Sequence, residues 1–274
     1  MIPASFDYEV AESVDHAIEL LGSDKDAKLL AGGHSLLPLM RLRLARPELL
    51  VDIGRVSDLS YVKEDDDAIA IGALTRYHDL VHDELLRAEC PILAEASGLV
   101  GDPQVRHRGT IGGSVAHCDP ASDAPTILLA LDAELVVRGP GGERRLPVAD
   151  SFAGFLQTAL EPTEVLTEIR VPKTGNGGWA YEKMTRRAQD WATVAVAAVQ
   201  MNGGAHVALT NMGPTALRAA GVEEALASGA DPAAAAERAA EGTSPPSDHN
   251  ASAEYREYVV RVLTRRALEE ALSG

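Results

Sequence analysis

The sequence predicts an α+β protein, because strand-like and helix-like segments occur in separate groups along the chain. The first fifty residues have the pattern of a βαβ-like unit, and the last hundred have three strand-like runs followed by helices. With 274 residues, of which 46% are apolar, the chain is long enough for two or three small domains with cores of their own. A glycine-rich stretch at residues 173–178 (KTGNGG) predicts a domain boundary.

The N-terminal segment predicts a small α/β lobe over residues 1–55. Ser13 has the character of a helix N-cap, and apolar residues follow it at helical spacing. A short apolar strand over residues 27–30 leads into a glycine-rich turn, and a helix is expected over residues 35–44. A second strand over residues 49–53 completes the unit.

The middle of the chain predicts a second lobe over residues 56–174. It begins with an alternating strand, continues with a broken helical region and a compact apolar helix, and ends with strands around a Pro-Gly-Gly turn. These elements are expected at residues 68–74, 75–100, 123–131, 135–137, 144–148 and 165–171.

The C-terminal part predicts an α+β domain over residues 175–274. Strand-like runs cover residues 179–185, 193–201 and 206–210. The sequence Asn202-Gly203-Gly204 between the last two predicts a β-hairpin. An amphipathic helix is expected over residues 253–272.

The charge balance argues against several classes of partner. Asp and Glu number 41 and Lys and Arg number 25, which gives a net charge of −16. Binding to nucleic acid or to an anionic membrane surface depends on a basic patch, so we expect neither partner. No segment approaches the ~18 apolar residues of a membrane span, so we expect no insertion into a membrane.

The chain has only two cysteines, Cys90 and Cys118, and this number limits the redox chemistry that it can carry. Two cysteines are too few for a disulfide framework, and an iron–sulfur cluster normally takes about four thiolates. The N-terminus has neither a basic region nor an apolar stretch, so we expect no signal peptide and a cytoplasmic location.

Two glycine-rich segments, nearly eighty positions apart, are the most informative feature of the sequence. They are Ala31-Gly32-Gly33-His34-Ser35 and Thr110-Ile111-Gly112-Gly113-Ser114. Glycine pairs let the backbone approach a ligand closely, and converging N–H groups form a concavity that binds anions. One such loop indicates a phosphate, and two indicate a diphosphate held from both sides, as in a dinucleotide. Neither segment has the Rossmann fingerprint or the Walker pattern.

Three further residues, His34, Asp123 and Lys183, each have a structural and a functional interpretation. His34 either packs beside its turn or contacts a cofactor, and a histidine in such a turn anchors flavin covalently in some oxidases. Asp123 either belongs to the start of a helix or accepts hydrogen bonds from sugar hydroxyls. Lys183 lies either on a solvated edge or on the inner face of a strand, where it needs an acceptor such as a reduced flavin ring.

The segment His117-Cys118-Asp119 does not predict a metal site, because its ligand types are mixed and Pro120 breaks the spacing. Cys118 is interpreted as a small core residue. The eight histidines do not form a recognisable nucleophile arrangement, so no catalytic residue is predicted in this chain.

Four ordered motifs resemble those of one known family, the FAD-binding medium subunits of the molybdenum hydroxylases (the xanthine dehydrogenase family). Within that family, the sequence is most similar to the branch of the aerobic carbon monoxide dehydrogenases. The motifs are AGGHSLLP at residues 31–38, LVDIG at 50–54, TIGGSVAHCDPASD at 110–123 and EVLTEIRVP at 164–172. Residues 181–183 and 251–268 also match, so the resemblance covers nearly the whole chain.

The resemblance implies the two-lobed flavin-binding fold of the vanillyl-alcohol oxidase type, followed by a C-terminal domain with a three-stranded sheet and helices. It also implies non-covalent FAD, with both glycine segments on the diphosphate, Asp123 near sugar or ribityl hydroxyls and Lys183 near the ring system. The strand that ends at Ile53 would border the adenine. The implied binding residues are Ala31, Gly32, Gly33, His34, Ser35, Ile53, Thr110, Ile111, Gly112, Gly113, Ser114, Asp123 and Lys183.

The function implied by the resemblance is electron transfer within a complex. A large partner subunit would carry the molybdenum cofactor and a small partner the [2Fe-2S] clusters, in a dimer of heterotrimers. Electrons would reach FAD on this chain and leave to an external acceptor. Two alternatives remain open at this point, namely a self-contained flavin oxidase with FAD covalently held on His34, and a flavin-binding assembly protein without enzymatic activity.

Overall fold

The computed structural model describes residues 2–273 and contains three larger sheets, a two-stranded ribbon and helices packed against them, which confirms the α+β prediction. The strands are β1 (Asp7–Val10), β2 (Lys28–Leu30), β3 (Leu49–Asp52), β4 (Val62–Asp65), β5 (Ala68–Gly72), β6 (Glu134–Gly139), β7 (Gly142–Pro147), β8 (Phe152–Gly154), β9 (Gln157–Thr158), β10 (Val165–Pro172), β11 (Trp179–Met184), β12 (Val194–Met201), β13 (Gly204–Thr210) and β14 (Leu217–Arg218). The α-helices are α1 (Val14–Ser23), α2 (Leu36–Arg41), α3 (Tyr77–His82), α4 (Glu84–Glu89), α5 (Pro91–Ser97), α6 (Pro103–Arg106), α7 (Ile111–His117), α8 (Asp123–Ala130), α9 (Val148–Ser151), α10 (Ala220–Ala227), α11 (Pro232–Ala236) and α12 (Ala253–Ala271), with 3-10 turns at Ser57–Leu59 and Glu237–Ala240.

The N-terminal lobe is a parallel sheet with the strand order β1-β3-β2. The hydroxyl of Ser13 accepts a hydrogen bond from the backbone N–H of His16 at 3.1 Å, so the predicted N-cap of α1 is confirmed. Helix α2 is shorter than the predicted 35–44, because Arg43 adopts a φ of +61° and ends the helical path. Strand β1 was not predicted, since its residues are mostly exposed and show no apolar pattern.

The second lobe is an antiparallel sheet with the order β4-β5-β10-β6-β7 and the helices α3, α5 and α8 packed in its core. Every residue of α8 is buried, as its apolar sequence predicts. The predicted strand pair around Pro140-Gly141-Gly142 is β6 and β7, which close at the pair Gly139 and Gly142. This lobe supplies one wall of the central cleft described below.

The C-terminal domain is an antiparallel sheet with the order β11-β12-β13-β14, covered by α10, α11 and α12. The first three strands are those that the sequence predicts, and the two-residue strand β14 extends them at the edge. Asn202 (φ +53°) and Gly203 (φ +78°) form the turn between β12 and β13, which confirms the predicted hairpin. Across residues 2–273, no helix combines the length and the apolar character that crossing a bilayer needs.

Polar contacts attach the C-terminal domain to the second lobe. The hydroxyl of Thr210, at the end of β13, donates to that of Thr126 on α8 at 2.7 Å, and both residues are buried. Nearby, Nδ1 of His206 lies 3.2 Å from a carboxylate oxygen of Asp132, just beyond α8. These contacts hold β13 against α8, and β13 belongs to the same sheet as β11, which carries Lys183.

A buried arginine fixes the loop before α12. The side chain of Arg256 is fully buried, and its Nη2 donates to both carboxylate oxygens of Asp248 at 2.9 Å. Its Nη1 donates to the carbonyl oxygen of Thr193. The carboxylate of Asp248 also accepts from the backbone N–H groups of Asn250 and Ala251.

We expect Asp248→Ala to lower the free energy of unfolding by about 3 kcal/mol, because it leaves a buried guanidinium without its counter-charge. Arg256→Met should cost less, since the Asp248 carboxylate is 37% exposed and can be hydrated. Burial raises the pKa of Asp248, but the two N–H groups and Arg256 outweigh it and lower the pKa overall. This stabilisation is therefore present above the unfolded-state pKa and is lost as the pH falls through the folded-state value. Urea denaturation of both variants at neutral and acidic pH tests the prediction, and equal losses in the two variants would contradict it.

Candidate functional site

A cleft of about 500 Å³ opens where the two lobes and the C-terminal domain meet. All but one of the thirteen residues that the sequence and the family resemblance single out for cofactor binding line this cleft. They are Ala31, Gly32, Gly33, His34, Ser35 and Ile53 from the first lobe, Thr110, Gly112, Gly113, Ser114 and Asp123 from the second, and Lys183 from the C-terminal domain.

The first glycine segment offers unused hydrogen-bond donors to this cleft. Within residues 2–273, the backbone N–H groups of Gly32, Gly33, His34 and Ser35 have no hydrogen-bond acceptor. Backbone N–H groups of cleft-lining residues that lack a protein acceptor are suited to an anionic ligand. The segment leads directly into α2, so the N-terminus of that helix adds to the positive potential.

The structure requires glycine at positions 32 and 33 for two different reasons. A Cβ on Gly32 would lie 2.2 Å from the carbonyl oxygen of Arg108, two residues before the second segment. Glycine at this position therefore allows the two segments to pack against each other. Gly33 has a φ of +79°, a conformation that residues with a side chain rarely adopt.

The second glycine segment is not the turn that the sequence predicts. Residues 111–117 form α7, and Thr110 is its N-cap, with its hydroxyl accepting from the N–H of Gly113 at 3.2 Å. The N–H of Gly112 donates to the carbonyl oxygen of Ala73 at 3.0 Å, and that of Ser114 to the carbonyl oxygen of Thr110. Four N–H groups of this segment, those of residues 111–114, already donate within the protein, so the segment is not a concavity of free amides, and its contact with a diphosphate stays a prediction.

Gly112 allows α7 to pack closely against Ala73. A Cβ on Gly112 would lie 2.5 Å from the Cβ of Ala73. Ile111 is the residue that does not line the cleft: its side chain is fully buried in the core, and its N–H donates to the carbonyl oxygen of Thr75 at 3.1 Å. The side chain of Ile111 is therefore a core side chain, and its assignment to the binding site stays a prediction.

A buried ion pair lies in the wall of the cleft. The ammonium of Lys183 is 2.9 Å from one carboxylate oxygen of Asp123, and each side chain is only 7% exposed. The hydroxyl of Tyr181 donates to the other carboxylate oxygen at 2.6 Å, and Lys183 also donates to the carbonyl oxygen of Leu99 at 3.0 Å. Lys183 is thus on the inner face of β11, where Asp123 and the carbonyl oxygen of Leu99 accept from its ammonium.

Burial and the neighbouring groups shift the pKa values of the residues around this ion pair. Burial raises the pKa of Asp123, and the neighbouring ammonium of Lys183 and the hydroxyl of Tyr181 oppose that rise. Burial also raises the pKa of Tyr181, and the adjacent carboxylate raises it further, so Tyr181 is a neutral donor. The arrangement is a hydrogen-bonded polar group between the C-terminal domain and α8.

Tyr77 and Trp191 also line the cleft and were not among the predicted site residues. The buried hydroxyl of Tyr77 donates to that of Ser114 at 2.7 Å, which orients the Ser114 side chain. Trp191 is 51% exposed at the C-terminal side of the cleft. No local sequence pattern marks Tyr77, since its role depends on a contact with a residue 37 positions away.

Cys118 is a core residue, as the sequence predicts. It is 2% exposed, and it ends α7 with a left-handed φ of +53°. Its Sγ donates a weak hydrogen bond to the carbonyl oxygen of Gly154 at 3.7 Å, and burial raises the pKa of the thiol. A buried, protonated thiol has little nucleophilic character.

Two known protein families match successive parts of the chain. Residues 4–174 match the family described as the FAD binding domain in molybdopterin dehydrogenase. Residues 179–271 match the family described as the CO dehydrogenase flavoprotein C-terminal domain. The chain belongs to the FAD-binding flavoproteins of the molybdopterin dehydrogenases. The free amides of the first segment, at a cleft between two lobes, fit the diphosphate of such a cofactor.

Several relatives are similar to this chain over nearly its full length. The medium chain of carbon monoxide dehydrogenase from Hydrogenophaga pseudoflava is 44% identical over 99% of this chain and 98% of its own. A 6-hydroxypseudooxynicotine dehydrogenase complex subunit alpha from Paenarthrobacter nicotinovorans is 41% identical over 99% and 96%. The medium chain of glyceraldehyde dehydrogenase from Sulfolobus acidocaldarius is 36% identical over 98% and 99%.

Solved structures of similar proteins have the same fold as this chain. Carbon monoxide dehydrogenase from Hydrogenophaga pseudoflava has a chain with a TM-score of 0.95 at 45% identity, with 100% of this chain and 99% of that chain covered. A chain of quinoline 2-oxidoreductase from Pseudomonas putida 86 has a TM-score of 0.93 at 31% identity and the same coverage. The fold is therefore shared by relatives named for different substrates.

Proposed function

We propose that this chain is the FAD-carrying electron-transfer subunit of a molybdenum hydroxylase complex of the carbon monoxide dehydrogenase type. The observation that carries the proposal is the free-amide segment 32–35 in a cleft between the lobes, in a chain whose relatives are named as medium chains of dehydrogenases. FAD, when bound, accepts electrons singly and delivers them in pairs, and the protein contributes its position and its electrostatic environment.

The cleft supports distinct roles for its residues. Gly32, Gly33, His34 and Ser35 would hold the diphosphate through their backbone N–H groups, next to Ala31. Thr110, Gly112, Gly113 and Ser114 would provide a closely approaching backbone and hydroxyl groups on the opposite wall. Ile53 would provide an apolar contact at the N-terminal lobe, where the adenine is expected.

The ion pair supports an electrostatic role for the C-terminal domain. Lys183 would present its positive charge to the ring system, and Asp123 would hold that ammonium in place while lying near the sugar or ribityl hydroxyls. Because both carboxylate oxygens of Asp123 already accept hydrogen bonds, its contribution to binding would come mainly from the orientation of Lys183.

The assembly is part of the proposal. A large subunit with the molybdenum cofactor and a small subunit with [2Fe-2S] clusters would supply the electrons, in a dimer of heterotrimers. The free thiols of Cys90 and Cys118 support a reducing, cytoplasmic location. Domain boundaries at residues 1–55, 56–174 and 175–274 are supported by the changes of sheet between β3 and β4 and between β10 and β11.

The oxidase alternative makes a different prediction at His34, which is exposed and lines the cleft. We expect FAD to be bound without a covalent bond, because four backbone amides are available to hold it. Acid precipitation of the wild type and of His34→Ala should release yellow FAD into the supernatant in both cases. Flavin that stays with the precipitated wild type, and is lost in His34→Ala, would support covalent attachment and the oxidase.

A further inference from the structure

The loop between α5 and α6 carries one of the acceptors of the buried Lys183 ammonium. This loop consists of residues 98–102, and we refer to it as the α5–α6 loop. The carbonyl oxygen of Leu99, within the loop, accepts from Nζ of Lys183 at 3.0 Å. The carboxylate of Asp123, at the start of α8, accepts from the same nitrogen at 2.9 Å. Two separate elements of the second lobe therefore hold this ammonium.

An arginine outside the cleft holds the middle of the α5–α6 loop. Nη1 of Arg106, on α6, donates to the carbonyl oxygens of Val100 and Gly101 at 3.1 Å each. Within residues 2–273, these two oxygens have no other hydrogen-bond donor, and Arg106 has no other acceptor for its side chain. Val100 and Gly101 line the cleft, whereas Arg106 does not. Arg106 thus supports the wall of the cleft from behind.

Backbone contacts attach the two ends of the α5–α6 loop to the neighbouring helices. The N–H of Leu99 donates to the carbonyl oxygen of Ala96 on α5 at 3.0 Å. At the other end, the carboxylate of Asp102 accepts from the N–H of Val105 on α6 at 2.9 Å. The two bonds from Arg106 lie between these attachments. Loss of the Arg106 side chain would therefore leave the residues next to Leu99 without their fixed position.

The two acceptors of Lys183 determine where its positive charge lies. An ammonium has three N–H donors. Asp123 and Leu99 accept from two of them, and no residue in the described range 2–273 accepts from the third. A shift of either acceptor turns or displaces the ammonium. In the proposed function, this ammonium faces the ring system of FAD.

We propose that Arg106 is a positioning residue that sets the place of the Lys183 ammonium relative to the flavin ring, through the carbonyl oxygen of Leu99. The inference rests on the proposed function, because it deepens the role given there to Lys183. A positive charge near the ring stabilises the negative charge that the ring gains on reduction. Arg106 therefore favours reduction of the flavin without contacting it.

The experiment measures the midpoint potential of the flavin in the FAD-loaded complex purified from its host. Potentiometric titration follows the flavin absorbance, after subtraction of the spectrum of the FAD-free complex. At an effective dielectric constant of about 20, moving a unit charge by about 2 Å near another charge changes their interaction about tenfold in equilibrium terms. We therefore expect Arg106→Met to keep its FAD and to lower the potential by about 30 mV, which is about tenfold for a two-electron couple.

The matched control is Arg87→Met on α4. Arg87 is exposed, and within residues 2–273 its side chain forms no hydrogen bond or ion pair. The control removes the same charge from the chain and should leave the potential unchanged. A second variant, Arg106→Lys, keeps a cationic donor. Because a single nitrogen of Arg106 makes both bonds, an ammonium at this position should restore part of the lost potential.

A double variant tests whether Arg106 acts through Lys183. Lys183→Met should lower the potential by itself, because it removes the charge that faces the ring. Adding Arg106→Met to Lys183→Met should lower the potential no further, since the group that Arg106 positions is already absent. A further drop as large as that of Arg106→Met alone would overturn the route through Lys183.

The remaining outcomes also overturn the proposal. An unchanged potential in Arg106→Met, with normal FAD content, refutes the positioning role and leaves the proposed function standing. Equal shifts in Arg106→Met and Arg87→Met indicate a general effect of net charge. Loss of FAD from both Arg106→Met and Arg106→Lys makes Arg106 a structural residue of the cleft wall. If the wild-type complex contains no FAD, the proposed function fails, and the role of Arg106 fails with it.

Discussion

Gly32→Ala is expected to weaken FAD binding by about 10- to 100-fold, because the added methyl group clashes with backbone rather than with a movable side chain. Its Cβ would lie 2.2 Å from the carbonyl oxygen of Arg108 and 2.9 Å from the Cα of Gly109. Overpacking of this kind costs about 1–3 kcal/mol. The clash would push residues 31–35 away from the start of α7 and displace the free N–H groups from the cleft.

The measurement for Gly32→Ala is the FAD content after purification, together with the affinity of the apoprotein for added FAD. The matched control is Gly141→Ala in the turn between β6 and β7, where an added Cβ meets no atom within 4 Å. Gly141→Ala should bind FAD like the wild type. Equal affinities for all three proteins would show that the packing of the two glycine segments does not form the cofactor site.

Asp123→Ala is expected to lower the free energy of unfolding by about 3–5 kcal/mol, because it leaves the buried ammonium of Lys183 without its counter-charge. Only the carbonyl oxygen of Leu99 would remain as an acceptor for that ammonium. The same change removes the acceptor of the buried Tyr181 hydroxyl. Because these residues join the C-terminal domain to α8, that domain should detach more readily from the second lobe.

The matched control for Asp123→Ala is Asp190→Ala, a second aspartate that lines the same cleft. Asp190 pairs with Arg187, whose side chain is 78% exposed, so its loss should cost about 1 kcal/mol or less. The double variant Asp123→Ala/Lys183→Met removes both charges and should be more stable than Asp123→Ala alone. Urea denaturation measures all three, and similar losses for Asp123→Ala and Asp190→Ala would contradict the role of the buried pair.

Local sequence signals predicted the elements whose stability depends mainly on local interactions. The Ser13 N-cap of α1 and the Asn202-Gly203 turn follow from side-chain and backbone preferences within a few residues. The apolar helix α8 follows from its composition, since all of its residues are buried. These elements appear in the structure close to their predicted positions.

The features that the sequence did not predict depend on distant residues. The two glycines of α7 disfavour a helix locally, but Thr110 caps it and Ala73 packs against Gly112, 39 positions away. Strand β1 forms because β3 offers it a parallel partner across the lobe. The pairing of Asp123 with Lys183 joins residues 60 positions apart, and nothing in either local sequence indicates it.

The most direct test of the electron-transfer role is stopped-flow absorbance of the bound flavin, with and without the partner subunits. The account predicts that carbon monoxide, purines and aromatic heterocycles leave the flavin of the isolated chain oxidised, because its two cysteines cannot hold a cluster. With the molybdenum and iron–sulfur subunits present, the substrate of the complex should reduce the flavin. Substrate-dependent bleaching of the isolated chain would contradict this role and support the self-contained oxidase.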